Sequence, residues 1–181
     1  MPRSARRDRF LVPGFLILAS VADGCGSASP SAPSNLRQDV TIAGVTFTHV
    51  SVFLGRDFMP IVVNPGPDGG RPLGGVVELG VRSTGPANQF TLQAAVYDSQ
   101  GRRYPLTATP HDADRERQSP GQPFVWDGTV ARDATLTLRV VLSDGPYLAV
   151  DSRVYVVLEL TGQGGQKGAL RTAETRIVGT Y

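Results

Sequence analysis

The sequence predicts an all-β fold, an antiparallel immunoglobulin-like β-sandwich, and three observations predict it. Between Val40 and Val178 apolar residues recur with period two, not with the period of a helix. Glycine and proline, 21 and 14 of 181 residues, punctuate eight or nine short strands at close spacing. No convincing amphipathic helix interrupts them. The single cysteine, Cys25, cannot pair within the chain, so the sandwich has no intrachain disulfide and must be held by its core. A small barrel is the alternative closure of the same strands.

Val40, Ile42, Val45 and Phe47 share a face if Gly44 marks a bulge. Val50 to Leu54 and Phe58 to Val63 are further short strands, the second demoted to an edge by Pro60. Asn64 to Gly75 is a loop; its glycines lack the spacing and lysine of a phosphate cradle. Val77, Leu79 and Val81 alternate with polar neighbours, as do Phe90, Leu92, Ala94 and Val96. Asp98-Ser99-Gln100-Gly101 is a hairpin turn, and the chain returns through Arg102 to Leu106. His111 to Gln122 is the most charged loop, followed by a short strand with Phe124 and Trp126 on one side. Leu136, Leu138, Val140 and Leu142 face one way until Asp144-Gly145-Pro146 stops their strand. Val154, Val156, Leu158 and Leu160 repeat the pattern, Gln163 to Gly168 turns the chain, and Thr172 to Val178 is a last edge strand.

The N-terminus reads as an export address. Arg3, Arg6, Arg7 and Arg9 precede an apolar run from Phe10 to Ala22. That run is shorter than the roughly 20 apolar residues of a spanning helix, so a signal peptide over residues 1–24 fits better. Ser20-Val21-Ala22 offers an ordinary cleavage site. Ala22-Asp23-Gly24-Cys25 resembles a bacterial lipobox, whose cysteine receives the lipid, and Cys25 is the favoured attachment site. Arg6-Arg7 before Phe10-Leu11 also resembles a twin-arginine signal, which leaves the export route open. Residues 25–36 form the attachment cysteine and a Ser/Pro-rich linker with too little apolar surface to fold. The domain occupies residues 37–181.

The formal net charge of +2 belongs to the leader. Without residues 1–24 the chain keeps 14 of its 18 basic and 14 of its 16 acidic residues. No basic field remains for nucleic acid.

Asp98-x-x-Gly101-x-x-Tyr104, a polar Pro/Gly loop and Gly128-Thr129-Val130 before a long alternating strand resemble bacterial envelope lipoproteins with one Ig-like domain of unknown function. The resemblance covers about residues 76–160, with Arg132-Asp133 standing where such domains often carry Pro-Gly. It implies a fold and an envelope location, with the membrane reached through lipid on Cys25, and it assigns no catalytic residue.

Three functions follow. The first is a non-catalytic binding or structural module that meets an envelope protein through loops or a strand edge. The second is an envelope ligand- or metal-binding protein using Asp112, Asp114 and Glu116 in the 111–116 loop, although Arg115 and Arg117 are interleaved with them. The third is a hydrolase built on His49 or His111, for which no Gly-x-Ser-x-Gly elbow is present. His49 with Met59 lacks the further ligands of a copper site, and reads instead as an exposed histidine and a core methionine. No cofactor is implied. Trp126 reads as a core plug. Tyr155 reads as a surface residue sharing an outward face with Val157, and with Val141 if their strands pair; an apolar patch there would call for an interface or a covering segment.

Overall fold

The structure is a computed structural model that describes residues 35–59, 66 and 68–181. The expected signal peptide, Cys25, most of the linker, and residues 60–63 of the expected Phe58–Val63 strand lie outside the described residues.

The chain forms an antiparallel β-sandwich, as the period-two pattern predicts. Its elements are β1 (Asp39–Ile42), β2 (Val45–Asp57), β3 (Gly74–Ser83), β4 (Asn88–Asp98), β5 (Arg103–Asp112), α1 (Ala113–Gln118), β6 (Thr129–Val130), β7 (Thr135–Ser143), β8 (Arg153–Gly162), β9 (Lys167–Arg171), β10 (Thr175–Arg176) and β11 (Val178–Thr180). The first sheet runs β1–β2–β3–β7–β5 and the second β5–β4–β8–β10, with β9 also on β8, β6 on β4 and β11 on β2. β5 belongs to both sheets: its residues up to Leu106 pair with β4, and those from Thr107 onward pair with β7.

The core is the set of inward positions read from alternation. Val77, Leu79 and Val81 of β3 meet Leu138 and Val140 of β7 and Val154, Val156, Leu158 and Leu160 of β8, all fully or almost fully buried. Trp126 belongs to this core, and its Nε1–H donates to the Thr129 carbonyl at 2.8 Å.

Parts of the sheet edges are covered by flanking segments, which reduces the backbone open to another strand. Beside β1, the Arg171 N–H donates to the Arg37 carbonyl at 2.9 Å and ties β9 to the segment entering β1. The chain end passes from β10 on the second sheet to β11, which pairs with β2 in parallel and is the exception to the antiparallel pattern. The free side of β5 is covered by residues 124–126: Asp112 N–H donates to Phe124 O and Trp126 N–H to Pro110 O, each at 2.8 Å.

Several local expectations are corrected. Gly44 is not a bulge: Ala43 (φ 50°) and Gly44 (φ 78°) form the tight turn of a β1–β2 hairpin. The bulge lies at Val50, between His49 and Ser51. The charged loop contains a short helix, α1, because Asp112 caps it by accepting from the N–H groups of Asp114 and Arg115 at 3.1 and 3.0 Å. Phe124–Trp126 makes one isolated bridge, Val125 to His111, in place of a strand. The expected single strand over Thr172–Val178 is split between β10 and β11.

Candidate functional site

The outward face of the first sheet carries a row of side chains set by strand register. Ser51 of β2 pairs with Glu78 of β3, Glu78 with Arg139 of β7, and Arg139 with His111 of β5. The neighbours of Glu78 and Arg139 along their strands, Val77, Leu79, Leu138 and Val140, are buried in the core, so alternation puts Glu78 and Arg139 on the outside, and the register sets Ser51 and His111 beside them. Ser51 Oγ donates to Glu78 Oε2 at 3.0 Å.

α1 lies over one end of this row. A helix of six residues does not hold its shape alone. Asp114 Oδ2 accepts from the Thr137 N–H of β7 at 2.6 Å, and Asp114 Oδ1 pairs with Arg117 at 2.7 Å. Glu116 is the hub. Its Oε1 accepts from the Phe124 N–H at 3.2 Å and from His111 Nδ1 at 3.0 Å, and its Oε2 pairs with Arg139. Burial alone would raise the Glu116 pKa, but these donors and the Arg139 charge outweigh it and hold the carboxyl below its usual range. It is therefore a carboxylate, and His111 Nδ1 must carry the proton that it shares.

Between α1 and the bulge of β2 runs an open groove of about 820 Å³. Glu78, Thr137 and Arg139 form its floor. Pro120 and Pro123 stand on the α1 side, and Val50 forms the opposite wall. The bulge pushes Val50 out over Gly80 and leaves it 60% exposed. Two residues further along the strands, beyond the groove, the same sheet face carries the apolar row Phe53, Val76 and Val141.

The other residues singled out in the sequence do not converge here. The three carboxylates of the 111–116 segment are each committed to protein donors, and among the described residues no group of three or more His, Cys, Asp or Glu side chains is placed to hold a metal. His49 is not an exposed strand residue. It points inward beside Leu79, its Nε2 is buried without a partner, and burial lowers its pKa despite a hydrogen bond to the Ser51 backbone. His49 and His111 thus face opposite sides of the first sheet. Met59 is exposed, not core.

Tyr155 is buried on the outer side of the second sheet, stacked on Tyr97 at 5.4 Å with the Arg171 guanidinium 4.4 Å over its ring. That burial raises its pKa. Val157 lies in the same small cluster, against which Leu36 packs. Val141 sits on the other sheet, because β7 pairs with β3 and β5 and not with β8. The expected joint patch of Val141 and Val157 therefore does not form. Glu78, Arg139 and Val50 were missed as site residues because only the register of strands distant in sequence brings them together.

No protein-family model matches the chain, and no curated protein matches it. Among solved structures it is similar to an uncharacterised β-sandwich protein from Clostridium difficile, with 13% identity and a TM-score of 0.41 over 75% of this chain and 90% of that one. It is similar to a member of a family of unknown function from Pseudomonas aeruginosa, with 8% identity and a TM-score of 0.39 over 80% of this chain and all (100%) of that one. It is also similar to part of a family 123 glycoside hydrolase from Clostridium perfringens, with 8% identity and a TM-score of 0.39 over 59% of this chain and 21% of that one.

Proposed function

We propose that this chain is an exported, non-catalytic binding module of the bacterial cell envelope, tethered through lipid on Cys25, and that it meets a protein partner through the groove between α1 and the β2 bulge. The groove itself carries the reading. Its α1 wall is held to the sheet by Asp114 and Glu116, while the groove between that wall and Val50 is open. A fixed wall lowers the ordering cost of binding, which is how a preformed site gains affinity. The leader and linker composition support export and tethering.

Two measurements on the protein in its host test this. The intact mass of the mature chain should begin at Cys25 and carry acyl groups; an unmodified chain beginning at Asp23 would remove the tether. A photo-crosslinking side chain at Val50 should capture a specific protein, whereas one at Gln93, exposed on the opposite sheet, should not. Equal capture at both positions, or at neither, would rule out the groove as the partner site.

A further inference from the structure

We infer that the groove takes an extended polypeptide segment carrying a basic side chain, with Glu78 as the carboxylate that receives it. This rests on the reading of the groove as a partner site and names the chemistry of its occupant.

The charge arrangement singles out Glu78. Every other carboxylate around the groove already faces a cation: Glu116 faces Arg139, Asp114 faces Arg117 and Asp112 faces Arg115. Glu78 accepts from the Ser51 hydroxyl, and among the described residues no cation forms an ion pair with it. Arg139 is its cross-strand neighbour but turns to Glu116. The groove thus holds two compensated arginines and one uncompensated carboxylate, part-buried on its floor. A cationic group fits there, because a charge-assisted hydrogen bond to a half-desolvated carboxylate is stronger than one in open water.

The shape indicates an extended chain. The groove floor crosses β3 at Glu78 and follows β7 from Thr137 to Arg139, and beyond it the outward face of the same sheet continues to Val76 and Val141. At the rise of a β-strand this length matches about five residues of extended peptide. Alternate side chains of such a peptide would point down. One would reach Glu78, and the next would lie on Phe53, Val76 and Val141, where Phe53 is 51% exposed. A basic residue two positions from an aliphatic one is the motif this face fits.

The test uses the exported protein purified from its host in detergent. The probe is a fluorescein-labelled peptide of about six residues in which one lysine alternates with valine and threonine. Two controls replace the lysine by Nε-acetyl-lysine or by glutamate. The lysine peptide should bind, and both controls should bind at least about tenfold more weakly. Glu78→Gln should weaken the lysine peptide by about the same factor, and Glu159→Gln on the second sheet should leave it unchanged. Equal binding of the acetylated peptide, preference for the glutamate peptide, or no effect of Glu78→Gln would overturn the inference. If that happens while Val50 still captures a protein in the host, the groove remains a partner site with a different occupant. If capture also fails, both readings fall.

Discussion

Arg56 and Asp68 form a forked ion pair in which the cation is fully buried and the anion is not. Arg56 Nη1 and Nη2 reach the two Asp68 oxygens at 2.5 and 2.6 Å. Arg56 Nε donates to the Arg71 carbonyl and Nη1 also to the Leu148 carbonyl. The Phe58 and Tyr147 rings lie 5.0 and 5.2 Å from the guanidinium. One side chain of β2 thereby fixes the segment leading into β3 and the segment after β7.

Removing the anion should therefore harm the fold more than removing the cation. Asp68→Ala leaves a buried guanidinium with carbonyls but no counter-charge. Arg56→Met keeps much of the packing between the rings and loses hydrogen bonds worth about 1–3 kcal/mol in all. Urea unfolding of the two variants should rank Asp68→Ala as the less stable. The double variant should be no worse than Arg56→Met, since the stranded charge has gone. An additive double variant would mean that the pair is not coupled.

The same pair sets a pH dependence. The Arg56 hydrogen bonds hold the Asp68 carboxyl at about 2, below its ordinary value of 3.8. A lowered folded pKa means that the unfolded chain takes up the proton first as pH falls. The stabilisation is present in full above pH 3.8 and is lost as the pH approaches 2. Urea midpoints measured across this window should fall more steeply for the native chain than for Asp68→Asn. Parallel curves would show that Asp68 contributes no pH dependence of its own.

Glu116 should govern whether α1 stays on the sheet. In Glu116→Gln the carbonyl oxygen can still accept from one donor, but the charge that holds Arg139 is gone. Hydrogen exchange at the Phe124 amide should quicken by about tenfold, and Thr137 should follow because Asp114 rides on the same helix. Inward β3 amides should not change. Unaltered exchange at both Phe124 and Thr137 would show that Asp112 and Asp114 suffice to hold α1.

These local contacts mark the boundary of what the sequence made legible. Alternation in Val77–Val81 and Val154–Leu160 identified buried faces, because each inward residue is set by its own strand. The Asp98–Gly101 turn was also legible: Gly101 takes φ 75°, and Asp98 accepts from the Gln100 and Arg102 amides. α1 was not, since six mixed-charge residues carry no apolar stripe and depend on Thr137, Phe124 and Arg139 for their place. Tyr155 was misread because its strand shows only one covered side, while Tyr97 and Arg171 arrive from other strands. Glu78 became notable only once β3 was registered against β2 and β7.

Trp126 separates packing from hydrogen bonding. Trp126→Phe keeps most of the apolar contact and removes the donor to the Thr129 carbonyl. The expected cost is about 1–3 kcal/mol, combining the lost bond with the smaller ring. The melting temperature would read it, and a cost below the low end would mean that water or another donor replaces the indole N–H.

Two glycines with the same backbone conformation separate strain from close approach. Gly121 and Gly128 both sit at φ +90°, but an added Cβ meets nothing within 4 Å at Gly121 and lies 2.4 Å from the Phe90 carbonyl oxygen at Gly128. Alanine at either site incurs the left-handed strain of about 1–2 kcal/mol. At Gly128 it must also push β4 away, disturbing the 2.8 Å hydrogen bond from Phe90 N–H to the Gly128 carbonyl. Gly128→Ala should therefore unfold at clearly lower urea than Gly121→Ala, with the excess reporting contact and not backbone strain. Equal midpoints would show that the Gly128 turn can move off β4 without cost.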